Sequence, residues 1–503
     1  MHRFSPNPNL AHLIPWFEWE AEALQAARAQ DKPIMLFLSA FWCRYCQRMD
    51  EGALSDRENL ALLNAYFIAL RAENAKRPDI DARYNLNGWP TIAFFTPGGE
   101  LLAASNFLPS DDFKELLLNV YLAYQQKSAA ERLAATNGET AAVAISGGAC
   151  NYQSMLVEIT DSIMALADRQ HGGYGSGQKF IQADANEFLL ARYEQTKEPA
   201  FLEHVRLTLD RMRAGSIHDM AEGGYFRTTT GADWSKPHRE KLLAEQAGLL
   251  ANCLRVHRLT GLSEYAEMAQ EIIGYLDGKL FDPATNTFFG CEDFLRYEGA
   301  KPAGAGEFFS IIDDCLYSDA NALAVCAYLD AAELLNKPAY RERALASLEF
   351  LWQNCRGEGS GMFHYFDGAP HVPGLLQDQA QMGMALMRAR EATGDVKYLD
   401  RARQLAEFII TELKNPAGGF YDIRAQDSAA LKLRLTLIEQ NGAAASFFLA
   451  LADATGEEIY RDAALWAFSH FTDNFQENGI HSATFGRALQ KYLRPHAATR
   501  SYE

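Results

Sequence analysis

Six glycine–aromatic loops recur along most of this chain of 503 residues: HGGYG (171–175), EGGYFR (222–227), NTFFG (286–290), GSGMFHY (359–365), AGGFYD (417–422) and NGIHSATFG (478–486). A recurrence of this length marks repeated supersecondary units, none of which can bury its apolar face alone. A second theme alternates with the loops. In YEQTKEPAF, HRLTGLSEY, AELLNKPAY, REATGDVKY and LADATGEEIY a helix ends, a tight polar turn follows, and an aromatic opens the next helix. Those aromatics are Phe201, Tyr265, Tyr340, Tyr398 and Tyr460. Between loops the apolar residues fall at i, i+3, i+4 and i+7, as in YAEMAQEIIGYLDGKLF, which is the stripe of an amphipathic helix. The pattern predicts about twelve helices, two for each repeat unit, over residues 151–503.

Paired helices alone would also fit an open solenoid. Repeats of about 60 residues with long loops at one end fit a closed (α/α)6 toroid better. The helices after the loops begin QADANEF, LAEQAGLL, YSDANALA, LQDQAQMG and IEQNGAAA. Each carries one acid: Asp184, Glu245, Asp319, Asp378 and Glu439. Equivalent positions in a toroid face the same way, so these acids are expected to ring the funnel mouth. Alanine and glycine beside them let inner helices approach closely. First-turn acids also suit the helix dipole, which is the plain structural reading. The functional reading gives them sugar hydroxyls or acid–base work. Loop residues that could join such a site are His238, Glu240 and Lys241 in KPHREK, with Trp234 nearby, and Glu292 and Asp293 in GCEDF. Asp313, Asp314, Asp319 and Asn321 in IIDDCLYSDAN, and His364 and His371 in GMFHYFDGAPHVPG, complete the candidates. His238 is the expected acid–base residue. Trp234, Glu292, Asp293, Asp314, Asp319, Asp378 and His371 are the expected substrate contacts.

The first 126 residues read differently. PIMLFLSAF is a continuous apolar run, the mark of a strand buried on both faces. Cys43 and Cys46 follow it, where a helix (QRMDEGAL) should begin. AYFIALRAE is another strand, and GWPTIAFFTPGGELLA is a hairpin led by Pro90. Strand, CxxC at a helix start, then a proline-led strand is the thioredoxin order. A cysteine at a helix start meets unpaired N–H groups and the helix dipole, which stabilise its thiolate. Cys43 is therefore the expected nucleophile, with Arg44 adding charge, and Cys46 the resolving thiol. Trp42 and Pro90 frame the pair, and Trp89–Pro90 is expected to be a cis peptide. Zinc is not expected, because no second CxxC or His-x3–5-His accompanies the pair.

NPNLAHLIPWFEWEAEAL, DKPIMLFLSAFWCRYC, RPDID (77–81) and NGWPTIAFFTPGGELL resemble the landmarks of the two-domain proteins that include spermatogenesis-associated protein 20. WSKPHREKLLAEQA, GCEDF and AGGFYDI resemble landmarks of that family's second domain, so the likeness covers most of the chain. The resemblance implies a thioredoxin-like domain followed by a toroid. That toroid is similar to six-hairpin glycosidases and to N-acylglucosamine and cellobiose 2-epimerases. The family usually has a histidine after each cysteine. Here those positions are Arg44 and Gln47, so the redox reading rests on the cysteines themselves.

The expected boundaries are 1–126 for the thioredoxin-like domain, 127–150 for an Ala/Gly/Ser/Thr-rich linker, and 151–503 for the toroid. The formal charge of −18 is spread without a basic patch, which argues against nucleic acid and anionic membrane. No run is long and apolar enough to span a membrane, and the N-terminus lacks the order of a signal peptide. Cys150, Cys253, Cys291, Cys315, Cys326 and Cys355 are scattered singly and read as buried hydrophobes in a reducing cytoplasm. No cofactor is expected. The expected activity is thiol–disulfide exchange on a protein disulfide or dithiol, with a carbohydrate as a second partner of the toroid. The alternatives are a sugar-modifying enzyme, 2-epimerase-like or hydrolase-like, with a regulatory thioredoxin domain, and a non-catalytic binding scaffold.

Overall fold

In the computed structural model, residues 2–133, 151–296, 308–359, 361–425 and 433–494 are described. They fall into two compact units. The first lies within 1–141, 293–311 and 426–434, and the second within the other ranges. Of the expected linker, residues 134–150 lie outside the described residues, and 127–133 contains a short helix, Ala129–Leu133.

The first unit is built on strands β1 (Ile34–Ser39), β2 (Ile68–Glu73), β3 (Thr91–Phe95) and β4 (Leu101–Ser105), in the order β2-β1-β3-β4. β1 runs parallel to β2, with Ile34 opposite Ile68, and antiparallel to β3, with Ile34 opposite Phe95. All six residues of β1 are buried, as a continuous apolar run requires of a strand covered on both faces. The helices are α1 (Ala21–Gln30), α2 (Arg44–Glu51), α3 (Arg57–Tyr66), α4 (Pro78–Tyr84), α5 (Ser110–Gln126) and α6, the Ala129–Leu133 turn. This is the thioredoxin arrangement. Phe37, Ile92, Phe94, Phe113 and Leu117 form its core together with both cysteines.

Among the described residues the second unit holds twelve α-helices: α7 (Tyr152–Leu166), α8 (Ala183–Thr196), α9 (Pro199–Ala214), α10 (Leu243–Thr260), α11 (Ser263–Tyr275), α12 (Ser318–Leu334), α13 (Pro338–Asn354), α14 (Leu376–Thr393), α15 (Val396–Glu412), α16 (Ile438–Thr455), α17 (Glu458–Ser469) and α18 (Ala483–Tyr492). Even-numbered members pack in succession, and α18 packs against α8, which closes an inner ring of six. α9, α11, α13, α15 and α17 each back the inner helix before them, and α7 backs α18. The sixth pair thus joins the first and last helices of the unit, and the (α/α)6 toroid closes on itself.

Close approach in the ring depends on small residues. A Cβ on Gly442 of α16 would sit 2.5 Å from the Phe485 backbone of α18, and one on Gly383 of α14 would sit 2.5 Å from the Phe447 ring. Turns between paired helices repeat one device. Thr260, Thr393 and Thr455 each donate to a carbonyl four residues back and accept an N–H two residues on. The next residue, Gly261, Gly394 or Gly456, then takes the left-handed conformation of a helix C-cap.

Candidate functional site

Cys43 is the N-cap of α2. It forms a disulfide with Cys46, with 5.2 Å between the Cα atoms. The backbone N–H of Cys46 donates to Cys43 Sγ at 3.0 Å, so one of the unpaired donors of the first turn is aimed at the sulfur. Both cysteines are nearly covered, at 5% and 3% exposure. Half-buried Trp42 and Trp89 pack against the cluster that holds both cysteines and meet edge to face, with ring centroids 5.1 Å apart. Exposed Tyr45 packs on Phe107 at 5.4 Å.

The loop before β3 is tied down. Trp89–Pro90 is cis. Asn106 Nδ2 donates to the carbonyls of Gly88 and Pro90, both at 3.1 Å, and Thr91 Oγ1 donates to Gly88 O at 2.8 Å. Trp89 Nε1 and Asn85 Nδ2 both donate to Asp81 Oδ1, at 2.8 and 2.9 Å. Burial raises the Asp81 carboxyl above its ordinary pKa, against the pull of these two bonds.

An ion pair that sequence reading missed anchors the cysteine helix. Asp50, near the end of α2, accepts two bonds from Arg71 of β2, at 2.7 and 2.9 Å. Asp50 is 1% exposed and Arg71 is 5%. The guanidinium lies over the rings of Phe4, Trp16 and Phe37, and Ser5 N–H donates to Asp50 Oδ2.

In the toroid, the recurrent helix starts carry a second function beside the acid. Gln246, Asn321, Gln379 and Asn441 are each fully buried, and each clamps a loop backbone at two points. They accept from the N–H groups of Tyr225, Phe288, Met362 and Phe420 and donate to the carbonyls of those same residues. An amide within two residues of each acid was visible in the sequence and is the signal for this role. The loops gain further rigidity from buried lysines. Lys179 pairs with Asp168 and Lys241 with Asp219, each at 2.8 Å.

A cavity of about 550 Å³ opens at the centre of the inner ring. Asp184, Glu245 and Glu439 line it, as expected of a ring of acids. Asp319 and Asp378 do not belong to this lining and gather instead around His364. His364 Nδ1 lies 3.0 Å from Asp378 Oδ1, and both side chains are buried. Burial pushes Asp378 up to about 6, with Asp319 adding repulsion and His364 opposing it. Burial also pushes Glu245 up to about 8. The ligand atoms of Asp319, His364 and Asp378 lie within 4.8 Å of one another.

The other sequence candidates fall elsewhere. His238 is exposed on a short strand paired with Thr228, and is absent from the cavity lining. Buried Glu240 is held by Arg227 Nε at 2.8 Å. Glu292 is fully buried, accepts from Tyr275 OH at 3.1 Å and lies 3.5 Å from Lys241 Nζ. Asp293 is buried and accepts from Phe294 N–H, while Asp314 is exposed. Trp234 is buried and donates to the His171 carbonyl. His371 is partly exposed, stacks on Tyr365 and bonds Asp367 at 2.8 Å. His238, Glu240, Glu292 and Asp314 do not line the central cavity. Recurring sequence themes locate loops, and within them ion pairs to Arg227 and Lys241 take up Glu240 and Glu292.

Fold and sites define a two-unit chain: a thioredoxin-like unit bearing a CxxC disulfide, and a toroid of the architecture seen in carbohydrate-acting enzymes. Residues 8–142 match the family model Thioredox_DsbH, described as a protein of unknown function, DUF255. The uncharacterized protein B0495.5 of Caenorhabditis elegans is 25% identical over 468 residues, spanning 79% of this chain and 62% of that protein. Mouse spermatogenesis-associated protein 20 is 26% identical over 308 residues, 56% of this chain and 38% of its own length. The chain thus covers less than two thirds of either relative. Thiol:disulfide interchange protein DsbD 1 of Pseudomonas aeruginosa is 40% identical over 82 residues, 16% of this chain and 14% of that protein. Among solved structures, a sugar epimerase from a ruminal bacterium aligns with a TM-score of 0.54 at 12% identity, over 69% of this chain and all of that one. A D-mannose isomerase gives 0.54 at 14% identity, over the same shares. At such identities the likeness shows the fold alone.

Proposed function

We propose that the Cys43–Cys46 pair carries out thiol–disulfide exchange on protein substrates. The observation that carries this reading is the disulfide at the N-cap of α2, with a first-turn N–H directed at Cys43 Sγ. In the reduced protein the Cys43 thiolate attacks one sulfur of a substrate disulfide. A mixed disulfide forms, and the other substrate sulfur leaves as a thiolate that takes up a proton. Cys46, deprotonated, then attacks Cys43 Sγ. The second substrate sulfur leaves, the substrate has gained two electrons, and the Cys43–Cys46 disulfide is restored. Trp42 and the Trp89–Pro90 loop frame the face through which the substrate enters. The 40% identity to a stretch of an interchange protein supports the same reading.

Among the described residues no helix is long and apolar enough to cross a membrane. Cys253, Cys326 and Cys355 are free thiols, and Cys253 and Cys355 are buried, which supports a reducing, cytoplasmic setting. The proposed domain limits are 1–126 and 151–503. For the toroid we favour a small-molecule site in the central cavity rather than at His238, and a carbohydrate is one class of ligand that the fold suggests for it.

The direct test is trapping. Cys46→Ser removes the resolving thiol, so incubation with a disulfide-bonded protein should accumulate a mixed disulfide through Cys43, released by dithiothreitol. Absence of any such adduct, or one formed through another cysteine, would refute the mechanism.

A further inference from the structure

Most charges in the cavity wall are neutralised by neighbours. Arg255 reaches Glu187 at 2.6 Å and Glu194 at 2.7 Å, Arg388 pairs with Asp330, and Lys491 with Asp453 at 2.9 Å. His481 lies 2.6 Å from Glu439. Among the described residues, Asp184 on the first turn of α8 and Glu245 on the first turn of α10 have no cation at ion-pair distance. Arg487 and Arg227 act on them only from farther away. The like charges acting on Asp184 are Glu439 and Glu187, whereas Glu245 feels Glu240. The cavity thus holds two acidic spots on neighbouring helices.

The buried polar atoms left without partners point the same way. In this wall they are Glu245 Oε2, Gln377 Oε1, Gln490 Oε1 and Arg255 Nε, three acceptors against one donor. Gln490 is 1% exposed, and its amide nitrogen is occupied by the Ala191 carbonyl at 2.7 Å, which leaves the oxygen to be satisfied. A buried acceptor without a donor is costly, so a ligand rich in N–H groups gains by supplying one. Ala247, Gly248, Ala251, Leu323 and Met384 give the same wall an apolar stretch.

We propose that the central cavity binds a small linear diamine or polyamine, with one ammonium at Asp184, another at Glu245, and its methylenes along the alanine-rich wall. Further N–H groups serve Gln377 and Gln490. The two carboxylates supply the opposite charge a protonated amine needs, and the amine supplies the cation that both acids lack. Burial holds Glu245 largely protonated when it stands alone, with its pKa at about 8, and raises Asp184 as well. A cation beside them reverses that cost.

The test uses the full chain, titrated calorimetrically with 1,4-diaminobutane, with 1,4-butanediol as an uncharged molecule of the same length, and with glucose. The diamine should bind, and the diol and glucose should bind at least about tenfold more weakly, or not at all. Asp184→Asn and Glu245→Gln should each weaken the diamine by about tenfold or more while leaving disulfide reduction unchanged. Thermal melts of both near-isosteric variants verify that they fold. No heat with diamine at millimolar concentration, equal binding of the diol, or wild-type affinity in both variants would overturn the proposal. Glucose binding without the diamine would overturn it too and leave the carbohydrate reading standing; the diamine binding alone would do the reverse.

Discussion

Cys43→Ser should return the dithiothreitol-driven reduction of insulin disulfides to the rate without protein, a loss of roughly three orders of magnitude or more for an essential nucleophile. Serine keeps the size of the side chain and its place as N-cap of α2. What disappears is a group that can exist as an anion near neutral pH and attack sulfur. The melting transition should therefore hold while turnover is lost, apart from the stabilisation the disulfide itself gave. The comparison for that is wild-type protein kept reduced. Residual turnover above a tenth of wild type would mean that another thiol does the work. Cys253 and Cys355 are poor alternatives, because both are buried and burial raises their thiol pKa to beyond the ordinary range.

Asp50→Ala should destabilise the thioredoxin-like unit by about 3–5 kcal/mol, because it leaves the Arg71 guanidinium buried without its carboxylate. At 5% exposure Arg71 cannot recover hydration without moving, and the rings of Phe4, Trp16 and Phe37 that cover it are fixed in the core region. Cation–π contact offsets part of the cost, on the order of 1–2 kcal/mol in desolvated settings. The double change Asp50→Leu with Arg71→Met should cost much less than Asp50→Ala, since it leaves no buried charge unpaired. Urea unfolding of the three proteins measures this. A loss below about 1 kcal/mol for Asp50→Ala, the range of exposed pairs, would show that the pair is not sealed from solvent. The same variant bears on function. Asp50 ties the cysteine helix to β2, so loss of the pair should also loosen the seat of Cys46.

The parts that read easily from sequence share a cause. β1 announced itself because a strand buried on both faces has no polar alternation to confuse it, and a CxxC after such a strand places a helix start. The toroid was legible because its turns and loops repeat, and the repeated acid carried the inner helices with it. Asp50–Arg71 was not legible. Arg71 stands in IALRAE, where a charge on a strand reads as a solvent-facing residue, and nothing local reveals its partner 21 positions earlier. The amide clamps at Gln246, Asn321, Gln379 and Asn441 have a signal in the sequence, since each sits within two residues of a repeated acid, but an amide carries no charge to set it apart from a solvent-facing residue. The loop charges have partners that the sequence does not show. Glu240, Lys241 and Glu292 look available in sequence, yet each is taken up by a buried ion pair that holds its loop. His364 was among the loop histidines, but only the folded chain brings it to Asp378 and Asp319.

The central claim is that Cys43, at the N-terminus of α2, is a stabilised thiolate. The measurement is the rate of iodoacetamide alkylation of the fully reduced chain against pH, with the modified cysteine identified by peptide mass. Thiols at helix N-termini titrate at about 3.5–7.5, against about 8.5 for a free cysteine. The account predicts a midpoint below about 8.5, with Cys43 labelled before Cys46. A midpoint at or above the free value of about 8.5, or faster labelling of Cys46, would contradict it.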